Sequence, residues 1–317
     1  MMRFILRRTL YTIPILLGVM LIIFVLFNMV GGDPTYQMLG KHATASQIAE
    51  LRQELGLDKS RVEQFFDYVG QVITFDYGRS YGTKQKISEM IWMGIPASLS
   101  LAIPAFLVET LLAIAIALLV SFYRGGLIDR TIVFLCVMGM SISSLAYILF
   151  GQYVLAFKLS SFLGFSVFPI SGYDSDWIER IRYIALPAMI WVAVGLGINV
   201  RIFRTFMLDE VGQDYVRTAR AKGLNEKKIL FKHVLKNGMI PILTYIVIEI
   251  PFLITGSFLL ESFFGIPGLG SITIDAIHNS DFPVIKAMTT IETLLFIGAN
   301  LMTDVLYSVV DPRVRFK

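Results

Sequence analysis

Long apolar runs separated by short polar connections dominate the pattern of this chain. A helix that crosses a hydrocarbon core of roughly 30 Å needs about 20 apolar residues. Six runs reach that length, at residues 10–30, 95–122, 131–157, 183–202, 240–260 and 284–310. Prolines interrupt several of them, which a helix bundle tolerates when neighbouring helices satisfy the freed carbonyls. The pattern therefore predicts an all-α membrane protein with six membrane-spanning helices.

Composition agrees with this pattern and excludes several kinds of site. Hydrophobic residues make up 55% of the chain and charged residues 16%, which is typical of integral membrane proteins. The single cysteine, Cys136, lies in an apolar run, so neither an intrachain disulfide nor a cysteine metal site is expected. The histidines His42, His233 and His278 are dispersed, and no Ser/His/Asp arrangement stands out. We therefore expect no metal, no catalytic residue and no nucleic-acid partner, and a membrane enzyme is disfavoured.

Basic residues near the ends of the spans predict the orientation. Arg3, Arg7 and Arg8 precede a first run that is too long for a typical cleaved signal peptide, so this run is expected to remain as the first span. Cytoplasmic connections of membrane proteins are enriched in Lys and Arg. Basic residues concentrate at the amino terminus, in the connection at residues 123–130, in the central loop and in the carboxyl tail. Both termini and the central loop are therefore predicted to be cytoplasmic.

The spans divide the chain into three parts. Residues 1–30 hold the cytoplasmic amino terminus and the first span, residues 31–94 form an extracytoplasmic loop, and residues 95–317 form a five-helix core. Because a loop of that length is unusual without structure of its own, helices are expected within it.

Two helices are predicted in the extracytoplasmic loop. Thr44 and Gln47 have the spacing of a capping box at the start of a helix that Gly56 ends. A second, amphipathic helix is predicted over residues 61–74. Its predicted apolar face consists of Val62, Phe65, Phe66, Val69 and Ile73. We interpret these helices as a lid that caps the bundle or lies in the headgroup region.

Glycine and proline mark the outer segment between the fifth and sixth spans. Three glycines and one proline lie within six residues: Gly265, Pro267, Gly268 and Gly270. Such a composition favours tight turns and close backbone approach. No Gly-Lys-Ser/Thr follows, so this is not a phosphate-binding loop. Two interpretations stay open, a re-entrant turn or outer gate beside a translocation path, and an ordinary loop.

The most polar stretch between two spans is the central loop, residues 209–241. Together with two arginines just upstream, it holds nine Lys or Arg against four Asp or Glu. Its pattern predicts a helix, a glycine turn and a second helix. Asp214 is expected to cap the first helix and Gly223 to end it with a left-handed turn. This turn is expected to present Leu224 as an exposed apolar knob.

The second helix of the central loop is predicted over residues 226–236, with Asn225 as its cap. Its predicted apolar face consists of Ile229, Leu230, His233 and Val234. Gly238 and Pro241 are expected to redirect the chain into the fifth span. Two short helices with an apolar elbow suit insertion into a socket on another protein. The alternative is a basic amphipathic loop that lies on anionic lipid.

Three glutamates lie within the predicted spans, Glu109, Glu249 and Glu292, and Asp304 lies nearer the end of the sixth. Ionisable groups are costly inside a membrane and usually face the interior of the bundle. They are candidates to line a translocation path, where they would offset a substrate's amino group. The alternative is that each joins helices within the bundle. Glu249 is the strongest path candidate because it lies mid-span on the helix that follows the central loop.

The central loop resembles a known motif. Residues 213–224 read QDYVRTARAKGL, and HVLKN at 233–237 and Pro241 follow. This stretch resembles the EAA loop of bacterial ABC importer permeases and is most similar to the peptide/nickel branch. Other matching stretches are GGDP at 31–34, LGLD at 55–58, DYGRS at 76–80, GIPGLG at 265–270 and DPRVR at 311–315. The chain departs from the general pattern at Arg217, where Glu is expected, and at Lys236, where proline is expected. The first departure puts in doubt any contact that the family assigns to that Glu.

The resemblance implies a type I ABC importer permease fold and a non-catalytic role. In such importers this loop forms a coupling helix seated in a cleft of the ATP-hydrolysing subunit. Carried over to this chain, the contact falls on Asp214, Tyr215, Arg217, Thr218, Ala219, Arg220, Gly223, Leu224 and His233. Since the chain has no Walker A pattern, ATP and Mg are expected on partner ATPases and no cofactor is expected on this chain.

The resemblance also implies a complex in the bacterial cytoplasmic (inner) membrane. Its expected partners are a second homologous permease subunit, one or two ABC ATPases, an extracytoplasmic substrate-binding protein and membrane lipid. The long first outer loop indicates the first permease of the pair, with an oligopeptide or dipeptide as cargo. Nickel chelates, oligosaccharides, muropeptides and peptide antibiotics are alternatives within the branch. A self-sufficient transporter or channel is the alternative of a different class, and no clear internal repeat favours it.

Overall fold

The computed structural model describes residues 2–30, 35, 39, 44–54 and 56–310. The GGDP and DPRVR stretches and His42 lie outside the described residues, as does the first residue of LGLD. We call the side of the membrane that holds residues 212–225 the inner side and the opposite side the outer side.

Helices make up most of the described part of the chain. In chain order the helices are α1 (Met2–Val25), α2 (Ala45–Glu54), α3 (Arg61–Thr74), α4 (Ile87–Phe122), α5 (Leu127–Ser141), α6 (Ser144–Gly151), α7 (Leu159–Leu163), α8 (Trp177–Val211), α9 (Asp214–Ala221), α10 (Glu226–Ile229), α11 (Lys236–Thr255), α12 (Phe258–Phe264), α13 (Leu269–His278) and α14 (Phe282–Val310). Single π-helical segments extend α1 and join α6 to α7 and α10 to α11: Leu26–Val30, Gln152–Lys158 and Leu230–Leu235.

Six helical segments of the described chain are long and apolar enough to cross a membrane, which confirms the prediction of six spans. They are Leu10–Asn28, Ile87–Phe122, Ser144–Leu163, Trp177–Val211, Glu226–Phe264 and Phe282–Thr303. The second, fourth and fifth extend beyond the predicted apolar runs because their ends carry polar residues. These helices continue past the hydrocarbon core, so a prediction from hydropathy alone ends them too early.

The third crossing differs from its prediction. The apolar run at residues 131–157 was expected to form one helix, but α5 ends at Ser141 and α6 begins at Ser144. Between them Ile142 has extended backbone, with φ −91° and ψ 131°. Ser143 is also extended and its hydroxyl accepts a hydrogen bond from Ala146 N, at 3.2 Å, as a helix cap. Serine favours a cap over a helix interior because its side chain competes for backbone hydrogen bonds.

Two long helices, α4 and α8, pack along each other at the centre of the bundle. Helices α5 and α11 pack against this pair, and α14 packs against α11 and α1. Buried apolar side chains form an inner cluster that joins α4 and α8 to residues 216–242. A separate outer cluster joins α1, α3, α13 and α14.

The outer loop contains both predicted helices, but α3 buries only part of the face expected. Its buried residues are Gln64, Tyr68 and Val72, whereas Val62, Phe66 and Ile73 are exposed. The Tyr68 hydroxyl lies 2.7 Å from Thr290 Oγ1, which ties α3 to α14. The prediction was partly right: Phe65 and Val69 are half-buried and pack with Tyr68 and Val72 on the outer cluster, and the Phe65 ring centroid lies 5.6 Å from that of Phe24 of α1.

Candidate functional site

The first helix of the central loop, α9, begins one residue earlier than expected. Its cap is Gln213, which makes no side-chain cap bond, and Asp214 lies in the first turn. The expectation that Asp214 caps the helix was therefore wrong. An acidic group in the first turn still interacts favourably with the helix dipole. Asp214 also lies 3.5 Å from Arg217, and their side chains are 95% and 74% exposed.

Gly223 ends α9 with a left-handed turn, as predicted. Its φ is +76°, and two reverse hydrogen bonds close the turn: Gly223 N donates to Arg220 O at 2.9 Å and Leu224 N to Ala219 O at 3.2 Å. This is the Schellman arrangement, which favours glycine because a Cβ is unfavourable at positive φ. No atom lies within 4 Å of where a Cβ on Gly223 would stand, so the requirement for glycine comes from the backbone alone.

Leu224 is not the exposed knob that its position in the sequence predicted. It is partly buried and packs against the inner cluster. In a Schellman turn the residue after the glycine often folds back onto the last turn of the helix. Here that turn contains Ala219, which is itself buried. Leu224 therefore anchors the elbow to the bundle.

The central loop has one buried face and one charged face. Val216, Ala219, Ile229, Leu230 and Val234 are buried and pack with residues of α4 and α8 in the inner cluster. Fully burying a Val, Leu or Ile side chain stabilises a fold by about 1.5–3 kcal/mol. The loop is thus fixed to the bundle through its apolar face.

The opposite face of α9 is open. Arg217, Thr218 and Arg220 are exposed. Arg220 donates through Nε and Nη2 to both carboxylate oxygens of Glu226, at 2.7 and 3.1 Å, which bridges the two helices of the loop. Exposed pairs of this kind stabilise little, about 0–1 kcal/mol. They do keep the guanidinium in a defined place on the surface.

Tyr215 and His233 lie where the loop meets α8. The Tyr215 hydroxyl donates to Glu210, and its ring centroid lies 6.4 Å from that of His233. Partial burial raises the pKa of Tyr215 to about 12, so the hydroxyl keeps its proton at neutral pH. These contacts connect the end of α8, the first loop helix and the second.

The second loop helix continues without interruption into the fifth span. Asn225 caps it as predicted, since its Oδ1 accepts from Lys227 N at 3.1 Å. The expectation that Gly238 and Pro241 redirect the chain was wrong, because both lie within α11. A Cβ on Gly238 would stand 3.1 Å from Met207 Sδ, so glycine permits close packing of α11 on α8. The second loop helix and the fifth span therefore form one continuous helical segment.

Among the membrane carboxylates, Glu109 joins two helices. It is 3% exposed and accepts hydrogen bonds from Trp191 Nε1 at 3.1 Å and Asn199 Nδ2 at 2.7 Å. Gly195 leaves room for it, since a Cβ there would approach Glu109 Cδ to 2.5 Å. Glu109 thus ties α4 to α8.

The other two candidates are less enclosed. Glu249 on α11 is half-buried. Glu292 on α14 is half-buried, and its Oε1 has no hydrogen-bond partner among the described residues.

The glycine-rich outer segment is a compact helical hairpin. Helix α12 ends at Gly265, whose φ is +65°, and α13 starts after Pro267 and Gly268. Ile266 and Leu269 are fully buried.

The carboxylate of Glu261 holds this hairpin together, and sequence reasoning had missed it. Glu261 has no exposed surface. Its oxygens accept hydrogen bonds from the backbone N–H of Ser257 at 3.2 Å, Gly270 at 2.8 Å and Ser271 at 3.2 Å. Leu269 N donates to Ser98 Oγ of α4 at 2.8 Å. Glu261 therefore caps the start of α13 from inside the fold.

Glycines make room for this carboxylate. A Cβ on Gly268 would stand 2.5 Å from Ser98 Oγ and 2.7 Å from Glu261 Cδ. A Cβ on Gly270 would stand 2.9 Å from Phe258 N. An acidic residue at the end of an apolar run, followed by closely spaced glycines, is the sequence signal from which the arrangement was predictable.

Six membrane-crossing helices with a polar loop on one side define a multi-pass membrane protein. Residues 110–316 match the family described as "Binding-protein-dependent transport system inner membrane component". Residues 1–102 match the corresponding amino-terminal family, "Binding-prot-dependent transport system membrane comp, N-term".

Individual relatives match over their full length. The chain is 34% identical over 322 residues to the oligopeptide transport system permease protein AppB of Bacillus subtilis (strain 168), covering 100% of both chains. It is 32% identical over 338 residues to the dipeptide transport system permease protein DppB of Escherichia coli (strain K12), again over 100% of both. It is 33% identical over 322 residues to the glutathione transport system permease protein GsiC of Salmonella typhi, with the same coverage. The chain belongs to the family of inner membrane components of binding-protein-dependent transport systems, and it is a multi-pass protein of the inner membrane.

Proposed function

We propose that this chain is a permease subunit of an ABC importer that carries peptides across the inner membrane. Family membership supports the permease role, and the names of the full-length relatives support the peptide cargo. The observation that carries the coupling mechanism is the two-faced central loop. Its apolar side is built into α4 and α8, and its charged side is open.

In this proposal the open face of α9 docks on a partner ATPase, which binds ATP and Mg. Asp214, Arg217 and Thr218 contact the partner, and Arg220 forms the charged rim. Gly223 and Leu224 hold the elbow that sets the position of α9, while Ala219, Tyr215 and His233 transmit its movement to α8 and α11. ATP-driven closure of two ATPases then rocks the bundle as a rigid body between inward and outward states. Both termini face the cytoplasm.

On the outer side, the hairpin of α12 and α13 acts as the gate. Gly265, Pro267, Gly268 and Gly270 shape its turn, and Glu261 keeps it rigid. A substrate-binding protein delivers cargo to this side, and a second homologous permease subunit completes the path. Within the path Glu249 offsets the positive charge of a peptide, aided by Glu292, and Glu109 holds the wall.

Co-purification and uptake test this function together. The tagged chain, expressed with its neighbouring genes, should bring down an ATPase and a second permease. The reconstituted complex with its binding protein should take up a labelled dipeptide or longer peptide only when ATP is supplied. Uptake without an ATPase would favour a self-sufficient transporter, and uptake of a nickel chelate or oligosaccharide in place of peptides would contradict the cargo.

A further inference from the structure

The break between α5 and α6 opens the backbone of the third crossing. Ile142 and Ser143 are extended and exposed, as is Ser141. The last four carbonyls of a helix lack partners within it. Only part of this deficit is met locally, by Tyr147 Oη and Ile142 N, which both donate to Gly139 O at 3.1 and 3.3 Å.

The break lies opposite the middle of α8. On the inner side of the break, a Cβ on Gly197 would stand 2.9 Å from Cys136 O, and on its outer side a Cβ on Gly151 would stand 2.7 Å from Ile190 Cδ1. The break therefore lies beside the stretch of α8 between Ile190 and Gly197, near the centre of the membrane-crossing segment Trp177–Val211. Open backbone at such depth is tolerated only where it is covered by protein or lines a water-filled cavity. The break is exposed on this chain, and lipid tails cannot form hydrogen bonds with its backbone. It must therefore face either a partner subunit or water.

A second polar feature lies on the same wall. Arg201 of α8 is exposed, and its Nη1 lies 3.5 Å from Sδ of Met140, two residues before the break. No carboxylate in the described part of the chain lies within ion-pair distance of Arg201. Arg204, one turn further on, is satisfied by both oxygens of Asp129, at 2.9 and 2.8 Å.

Arg201 also lines a groove between α5 and α8. The groove has a volume of about 490 Å³, and its wall also includes Arg204, Thr205 and apolar side chains such as Val133 and Ile198. A guanidinium facing lipid at this position is costly, and it gains most from a planar anion that accepts two parallel hydrogen bonds. A carboxylate has that geometry.

We propose that the wall formed by the α5–α6 break and Arg201 faces the translocation path, and that Arg201 binds the carboxylate of a peptide in transit. The inference rests on the proposed function and adds a residue that contacts the substrate's anionic end. Glu249 on α11 is then the complementary group for the amino end. Peptides with a free carboxyl terminus are the substrate class that this wall favours.

Thiol labelling tests whether the break faces water. The only cysteine, Cys136, is buried, so a Cys136→Ala background leaves the chain without thiols. In the reconstituted complex, Ser143→Cys should react with a charged, membrane-impermeant methanethiosulfonate at least tenfold faster than Leu111→Cys. Leu111 is a matched control because its side chain is 66% exposed on the apolar surface of α4. Equal rates would overturn the path assignment.

Protection of Ser143→Cys from labelling tests the role of Arg201. The assay omits the substrate-binding protein, so the selectivity of that protein does not affect the result. In the complex without that protein, millimolar tri-alanine should slow labelling of Ser143→Cys at least threefold, whereas the C-terminal amide of tri-alanine should not. Arg201→Gln should abolish the protection and Arg201→Lys should retain part of it. Equal protection by acid and amide, or none by either, would overturn the role of Arg201. Peptide uptake by the Cys136→Ala background is measured alongside. Normal uptake without protection would contradict the role of Arg201 alone, whereas loss of peptide uptake would contradict the proposed function.

Discussion

Glu261 shows how one side chain organises the outer hairpin. A fully buried carboxylate is costly unless it is well hydrogen-bonded. Three backbone N–H groups and the nearby Ser98 hydroxyl meet that requirement, and Gly268 and Gly270 provide the space. The conspicuous glycines of the sequence are therefore explained by a neighbour that the sequence pattern had not singled out.

Removal of this carboxylate should destabilise the hairpin. Glu261→Ala leaves one buried and two partly buried N–H donors without their acceptor, at a cost on the order of 3 kcal/mol. Thermal unfolding of the purified complex, followed with the rate of peptide uptake, should show a melting temperature lower by several degrees and reduced uptake. Glu50→Ala, which alters an exposed glutamate of α2, serves as the control and should change neither. An unchanged melting temperature for Glu261→Ala would contradict the capping role.

Leu224 has a different position from the one that its neighbours predict. A leucine among charged residues predicts an exposed anchor, but the Schellman turn directs it back onto Ala219. Its role in the proposed coupling is therefore to hold the elbow, and the exposed partner-facing side chains are Asp214, Arg217 and Thr218.

Among the elements, the central loop acts with α8 and α11 as one unit. Helix α9 is fixed to α8 through the inner cluster, and the second loop helix runs unbroken into the fifth span. A displacement of α9 by a partner would therefore move two membrane-crossing helices together. A flexible tether would not transmit force in this way.

The left-handed turn at Gly223 gives a test of this arrangement. Gly223→Val places a β-branched residue at a φ of +76°, with an expected strain of about 1–2 kcal/mol. This strain is small beside the buried contacts of the loop, so the complex should assemble while ATP-dependent uptake falls at least tenfold. Gly212→Ala is the matched control, because Gly212 has an ordinary φ of −77° at the end of α8. Normal uptake by Gly223→Val would refute the coupling role of the elbow.

The broken third crossing is the element that hydropathy described least well. Its apolar run predicted one helix, since Ile142 and its neighbours are compatible with the hydrocarbon core. Adjacent serines and extended backbone instead divide it into α5 and α6. Local hydrogen bonding outweighed the apolar average, which is the reason that a window of hydropathy did not find the break.

At the scale of the whole molecule, an inner and an outer cluster flank the polar contacts of the membrane interior. Glu109 ties α4 to α8 between them, so the two halves of the bundle are linked through these central helices. This arrangement suits a rigid-body movement, because a change at the inner side is carried along α4 and α8 toward the outer hairpin.

Charge reversal on the open face of α9 tests the proposed contact between subunits. Arg217 is 74% exposed and weakly paired, so Arg217→Glu should leave folding intact and place a repulsive charge against the partner ATPase. Quantitative pull-down should show at least a tenfold loss of co-purified ATPase, with the second permease retained. Lys86→Glu, an exposed lysine on the outer side, should retain the ATPase. Retention of the ATPase by Arg217→Glu would place the interface elsewhere.

The sequence by itself determined the six crossings, the two outer helices, the Gly223 turn and the family, because each depends on local periodicity, capping chemistry or a contiguous motif. It did not determine which residues of α3 are buried, where Leu224 points, that α10 and α11 form one continuous helix, how Glu261 is held, or that Glu109 is held by distant partners. The buried side of α3 and the position of Glu109 depend on contacts between residues far apart in the chain, such as Tyr68 with Thr290 and Glu109 with Asn199. Only packing in three dimensions decides which residues of an amphipathic helix are covered and which distant donors reach a buried carboxylate.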